Sequence, residues 1–144
     1  MQFKRCCFGS KTLPFGLYST QPDYYVADYI HDQFRKACET LGGRIEKTSV
    51  ETKCVIEPHN KGRVIITLEN GSLKEIFAEN ELASTVIRYP FPGENIRDIK
   101  IRSDKKLVFV SLSSGNTCSF TRLPRIVRGS CVIDGRTVDF SFDP

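Results

Sequence analysis

The segment that decides the fold is Pro22 to Leu41, PDYYVADYIHDQFRKACETL. Placed at about 100° per residue, Val26, Ala27, Ile30, Phe34, Ala37, Cys38 and Leu41 fall within one arc of about a third of the circumference. A stripe of that width is what a surface helix buries against a core, so the spacing predicts a helix over about 22–41. Thr20 offers a capping hydroxyl with Asp23 three residues later, a relative of the capping box with Asp in place of Glu or Gln. Pro22 lacks an N–H where a first turn has no acceptor for one, and Asp23 complements the positive end of the helix dipole. Gly42-Gly43 provides a left-handed residue just past the last turn. The opposite face carries Asp28, Asp32, Arg35, Lys36 and Glu39, with Asp32 and Lys36 in the favourable i,i+4 order.

After Gly43 the period of the pattern changes from 3.6 to 2. Thr48 to Glu57 alternates Val50, Thr52, Cys54 and Ile56 with Glu51, Lys53, Val55 and Glu57, and Pro58 to Gly62 reads as a turn. Arg63 to Glu69 is dense in β-branched residues. Asn70-Gly71 then signals a type I′ hairpin into Leu73 to Ala78. A strand is expected at Ser84 to Tyr89, and Pro90 to Asn95 reads as a rigid loop. The last third predicts a meander of strands at Ile96–Arg102, Leu107–Leu112, Thr117–Thr121, Arg125–Ile133 and Thr137–Phe142. Its turns are Ser103-Asp104-Lys105, Ser113 to Asn116 and Asp134-Gly135, and Gly129 is a candidate bulge.

The expected architecture is therefore α+β: one N-terminal helix packed on a curved antiparallel meander or flattened barrel of roughly eight strands. Residues 20–144 form the single domain. Residues 1–19 read as an arm that carries Phe3, Phe8, Leu13, Phe15 and Leu17, more apolar surface than a free tail usually holds. Tyr25 and Tyr29, one turn apart and off the main stripe, are a plausible docking place for it.

At 144 residues, with 40% apolar and 26% charged side chains, the chain has ordinary globular composition and can bury a core without staples. A net charge of +4 permits nucleic acid without demanding it. No stretch reaches the ~18 apolar residues of a spanning helix, and the N-terminus lacks the apolar run of a signal peptide. A cytoplasmic setting and six reduced cysteines are the expectation, with Cys38, Cys54 and Cys131 as small buried hydrophobes. Cys6 and Cys7 beside Lys4-Arg5 resemble an S-acylation site, but an ordinary arm is the better reading.

Chemistry-bearing patterns are scarce. There is no P-loop, no G-x-G-x-x-G, no G-x-S-x-G and no C-x-x-C, so no cofactor, metal or catalytic constellation is expected. His31 lies at the margin of the helical stripe and His59 in a turn, where structural roles are commoner than catalytic ones. Cys54 and His59 are the only local pair with chelating spacing. Asn70-Gly71-Ser72 matches a glycosylation sequon but reads as a hairpin turn.

The leading expectation is a small, non-catalytic protein–protein interaction module, possibly homodimeric, with Tyr25, Tyr29, Phe8 and Phe15 as partner-binding residues. The first alternative is a nucleic-acid-binding protein using the basic outer faces of the C-terminal strands, through Lys100, Arg102, Lys105, Arg125 and Arg128, with Tyr89, Phe91 or Phe120 as stacking surfaces. The second is a carrier of an apolar small molecule between helix and sheet.

Overall fold

The computed structural model describes residues 21–82 and 84–140, and the side chains of 29–82, 84–91 and 93–140. Helix α1 spans Gln21–Thr40. Its end is closed by a Schellman arrangement: the Gly43 N–H donates to Cys38 O at 2.9 Å and the Gly42 N–H to Glu39 O at 3.0 Å. Gly42 takes φ +77°, a left-handed backbone that calls for glycine. Ile30, Phe34, Ala37, Cys38 and Leu41 are buried, as the stripe predicts. On the far side Asp32 is bonded by Arg35 and Lys36, and Arg35 also by Glu39.

Nine antiparallel strands follow and pair strictly in chain order. They are β1 (Arg44–Lys47), β2 (Glu51–His59), β3 (Gly62–Glu69), β4 (Ser72–Asn80), β5 (Thr85–Arg102), β6 (Leu107–Leu112), β7 (Thr117–Leu123), β8 (Ile126–Ile133) and β9 (Arg136–Asp139). The edge strands β1 and β9 do not pair with each other, so the sheet is an open, curved meander over α1. Each edge is only four residues long and carries charges, which blunts it against further pairing. Both hairpin signals hold: Asn70 and Gly71 have φ of 53° and 82°, Asp134 and Gly135 of 52° and 83°.

The segment 90–95, expected as a loop, is strand. Thr85 to Asn95 pairs only with β4, and Ile96 to Arg102 only with β6. β5 is thus one long strand that hands the chain from a first half-sheet (β1–β5) to a second (β5–β9). That part of β5 is paired along one side only, the kind of strand position where proline is accommodated. A register shift opposite Leu73 to Glu75, with Gly93 at φ +69°, absorbs the bend. Two smaller corrections follow. β1 lies in a segment not expected as strand, and Gly129 is no bulge: its pairing is regular, with Phe120 directly opposite. A Cβ at 129 would meet that ring at 2.7 Å, so the glycine is there for packing.

The cysteines also depart from expectation. Cys38 is bonded to Cys54, tying α1 to β2, and Cys118 is bonded to Cys131 across β7 and β8. Cys38, Cys54 and Cys131 are buried as expected, and Cys118 with them; that they are reduced thiols is overturned. One apolar core runs between helix and sheet, including Ile56, Leu68, Ile76, Leu112, Phe120 and Phe140. Among the described residues no helix is long and apolar enough to cross a membrane.

Candidate interaction face

Because side chains alternate along a strand, every residue facing α1 has neighbours facing away. On the first half-sheet these outward residues seal their own surface. Val55, Ile65, Phe77 and Arg88 form one cross-strand row. Phe77 is 9% exposed, with the Arg88 guanidinium carbon 4.7 Å and the Arg63 one 5.6 Å from its ring centre. Each arginine is held in turn: Arg63 by Glu79 at 2.9 Å, Arg88 by Glu75 at 2.7 Å. Lys74 binds Glu51 and Glu69, and Arg44 binds Glu46 and Glu57. The hydrogen bond from Lys74 holds the Glu51 carboxyl below its ordinary value, and that from Arg44 does the same for Glu57. Of the nine lysines and arginines between 29 and 95, all but Lys47 have a carboxylate within 4.0 Å. Nine cations face ten carboxylates there, and the region is close to neutral.

The second half-sheet is built differently. Residues 96–140 carry nine lysines and arginines against four aspartates. Arg102 reaches Asp104 at 3.5 Å, whereas Lys100, Lys105, Lys106, Arg125 and Arg136 have no carboxylate within 4.0 Å among the described residues. Register sets them in order. One outward row is Arg102, Leu107, Thr121 and Arg128; the next is Lys100, Phe109, Ser119, Ser130 and Asp139; a third is Asp98, Ser111, Thr117, Val132 and Thr137. Phe109 and Val132 are each 45% exposed among serine and threonine hydroxyls. From Lys100 to Ser130 this surface is about 15 Å wide at the usual strand spacing.

Turns alternate ends in a meander, so the β5–β6 turn with Lys105 and Lys106 lies at the same end as the β7–β8 turn with Arg125. The Arg122 N–H donates to Lys106 O at 3.0 Å and joins the two. At that end the Arg122 guanidinium donates to Leu41 O and Leu123 O, at 2.9 and 2.8 Å, and caps the helix terminus. Lys100, Arg102, Lys105, Arg125 and Arg128, expected as a group, are therefore brought together on one face and one end.

The chain matches no protein-family model, no curated protein and no solved structure.

Other expected residues fare differently. Phe91 and Phe120 are core residues, 5% and 2% exposed, and Tyr89 packs on Phe91 and Phe140, so none of the three offers a stacking platform on the basic face. Phe109 is the aromatic that stands there, and sequence reasoning missed it, because LVFVSL is apolar at its start on both faces. Tyr29 is half exposed, its hydroxyl accepting from Gln33 Nε2 at 3.2 Å. Tyr25 lies on helical backbone, but its side chain, like Thr20, Phe8, Phe15, Cys6, Cys7 and the rest of the arm, lies outside the described residues. His59 Nδ1 accepts the Lys61 N–H at 3.0 Å, a turn-closing role, and Cys54 is committed to Cys38 rather than to a chelate. No cluster of three metal-ligating side chains occurs among the described residues. The cavity between helix and sheet, lined by Phe34, Leu41, Ile76, Val108 and Phe120 among others, measures about 20 Å³, room for about one water.

Proposed function

We propose that this chain is a non-catalytic protein–protein interaction module whose contact surface is the outer face of β5–β8, and that its partner presents an acidic surface. The observation that carries this reading is the contrast in pairing among the described residues: all cations but Lys47 are matched by carboxylates on the first half, while Lys100, Lys105, Lys106 and Arg125 on the second have none within 4.0 Å. An apolar centre at Phe109 and Val132 inside a polar, cationic surround has the anatomy of a protein interface. Complementary charge would steer encounter and set orientation. Tyr29, half exposed on α1, offers a second anchor separate from this face. A homodimer through the same face is disfavoured, since it would set like charges against each other.

Nucleic acid is the second reading, supported by the same cations and by hydroxyls of the kind that contact phosphates. It is weaker because Phe109 stands alone, where single-strand binders stack successive bases on several rings. A carried apolar molecule would need α1 to move, since drug-sized pockets are about 300 Å³ or more. The cystines sit poorly with the expected cytoplasmic setting, where thiols are kept reduced.

Binding of a fluorescent poly-glutamate peptide and of a 20-residue oligothymidine, each across a salt series, tests the reading. The peptide should bind at low salt, and Lys100→Glu with Lys105→Glu should weaken it at least tenfold. Tighter, steeply salt-dependent binding of the oligonucleotide would transfer the face to nucleic acid. No binding of either probe at low salt would remove the proposal.

A further inference from the structure

The two cystines carry an inference independent of that face. Cys38, Cys54, Cys118 and Cys131 are each 0–3% exposed, and Cys38, Cys54 and Cys118 line the same small cavity beneath α1. Once the helix is seated, neither a disulfide donor nor a thiol reductant has a path to these sulfurs. The bonds must form before the core closes, and afterwards the helix covers Cys38, Cys54 and Cys118. The two bonds also differ in what they hold. Cys118 and Cys131 are directly opposite in the β7–β8 ladder, where backbone pairing already joins them. Cys38 and Cys54, by contrast, join the body of the helix, otherwise held by side-chain packing and at its end by the Arg122 bond to Leu41 O, to an inner position of β2.

We infer that the chain matures in an oxidising compartment, where thiol–disulfide exchange with a disulfide donor installs Cys38–Cys54 as a covalent latch that keeps α1 over Cys118 of the second cystine. The chemistry balances as exchange. The Cys38 thiolate attacks the donor disulfide and releases one donor thiol. The Cys54 thiolate then attacks Cys38 Sγ and releases the other. Two cysteine protons and two electrons leave the chain, and the donor ends as two thiols. Disulfides installed this way persist outside the reducing cytosol.

The test starts from full-length protein isolated under acid quench, unfolded, and alkylated with N-ethylmaleimide before and after reduction. Intact mass should show the four cysteines protected before reduction, and peptide mapping should give Cys38–Cys54 and Cys118–Cys131. Alkylation of all four before reduction, or a different pairing, overturns the inference. A second arm addresses the latch. In native buffer with glutathione, Cys118–Cys131 should be reduced at least tenfold faster in the Cys38→Ala, Cys54→Ala double variant than in the parent. Equal rates in a variant whose circular dichroism is native would overturn the latch while leaving the bonds themselves in place.

Discussion

The two half-sheets share one backbone plan, antiparallel strands in chain order with alternate residues packed under α1, yet they finish their outer surfaces in opposite ways. On β1–β5 the aromatic side chain facing away from the helix, Phe77, is covered by two arginines that glutamates hold in place. On β5–β9 the outward aromatic, Phe109, stands open among hydroxyls, and Lys100 beside it has no carboxylate within 4.0 Å among the described residues. The comparison teaches that burial within one sheet does not follow from facing the core alone. A row facing solvent becomes a second, thin core when long side chains fold over it and ion pairs fix them there. Where the pairing acids are missing, the same row stays exposed and keeps its charge for something else.

The largest expected effect breaks that contrast directly. Phe77→Ala should destabilise the domain by about 3 kcal/mol, the low end for a buried aromatic, because its arginine cover can partly collapse. Phe109→Ala should cost less than about 1 kcal/mol, as exposed substitutions do. Chemical denaturation of the two variants side by side measures the difference, and equal losses would erase the distinction between the surfaces. Next comes Gly129→Ala, which pushes a methyl against the Phe120 ring and should cost about 1–3 kcal/mol by overpacking. Pairing it with Phe120→Leu should recover part of that loss.

Smaller still is the effect of charge. Lys100→Glu with Lys105→Glu should leave the thermal midpoint within about 2 °C while abolishing binding of the acidic probe at moderate salt. A comparable change at Lys74, which is already engaged by Glu51 and Glu69, should leave that binding unaltered. The smallest effect concerns acid. Glu51 and Glu57 have carboxyls depressed below their ordinary value of 4.5 by Lys74 and Arg44. The folded state therefore binds these protons less readily than the unfolded chain. Their contribution is complete above pH 4.5 and is lost as pH falls through the depressed folded-state values. Thermal melts between pH 6 and pH 3 should show Glu51→Gln and Glu57→Gln flattening the acid limb, and an unchanged limb would show those pairs to be too exposed to matter.

Much of this was legible along the chain. The stripe from Ile30 to Leu41, the Gly42-Gly43 stop and the two hairpin turns follow from local preferences that few distant contacts override. The basic residues from Lys100 to Arg128 were legible as a group because strand alternation and turn positions place them on one side. Their neighbours were not. Phe91 and Phe120 have the same local look as Phe109, and only the register of β5–β8 decides which ring faces water. Pro90 and Pro92 read as a loop because proline forfeits a ladder bond, and the unpaired flank of β5 that accommodates them is a property of the whole sheet.

By itself, then, the sequence determined one helix, its ends, the antiparallel meander and the sign of the C-terminal charge, all of which depend on residues within a turn or a hairpin of one another. Only the tertiary structure decided that Cys38 meets Cys54, that Phe77 is covered and Phe109 is not, and that glutamates neutralise one half-sheet alone. Those outcomes depend on residues such as Arg63 with Glu79 and Lys74 with Glu51, far apart along the chain and placed within bonding distance by strand register. Local propensity carries no record of such distances.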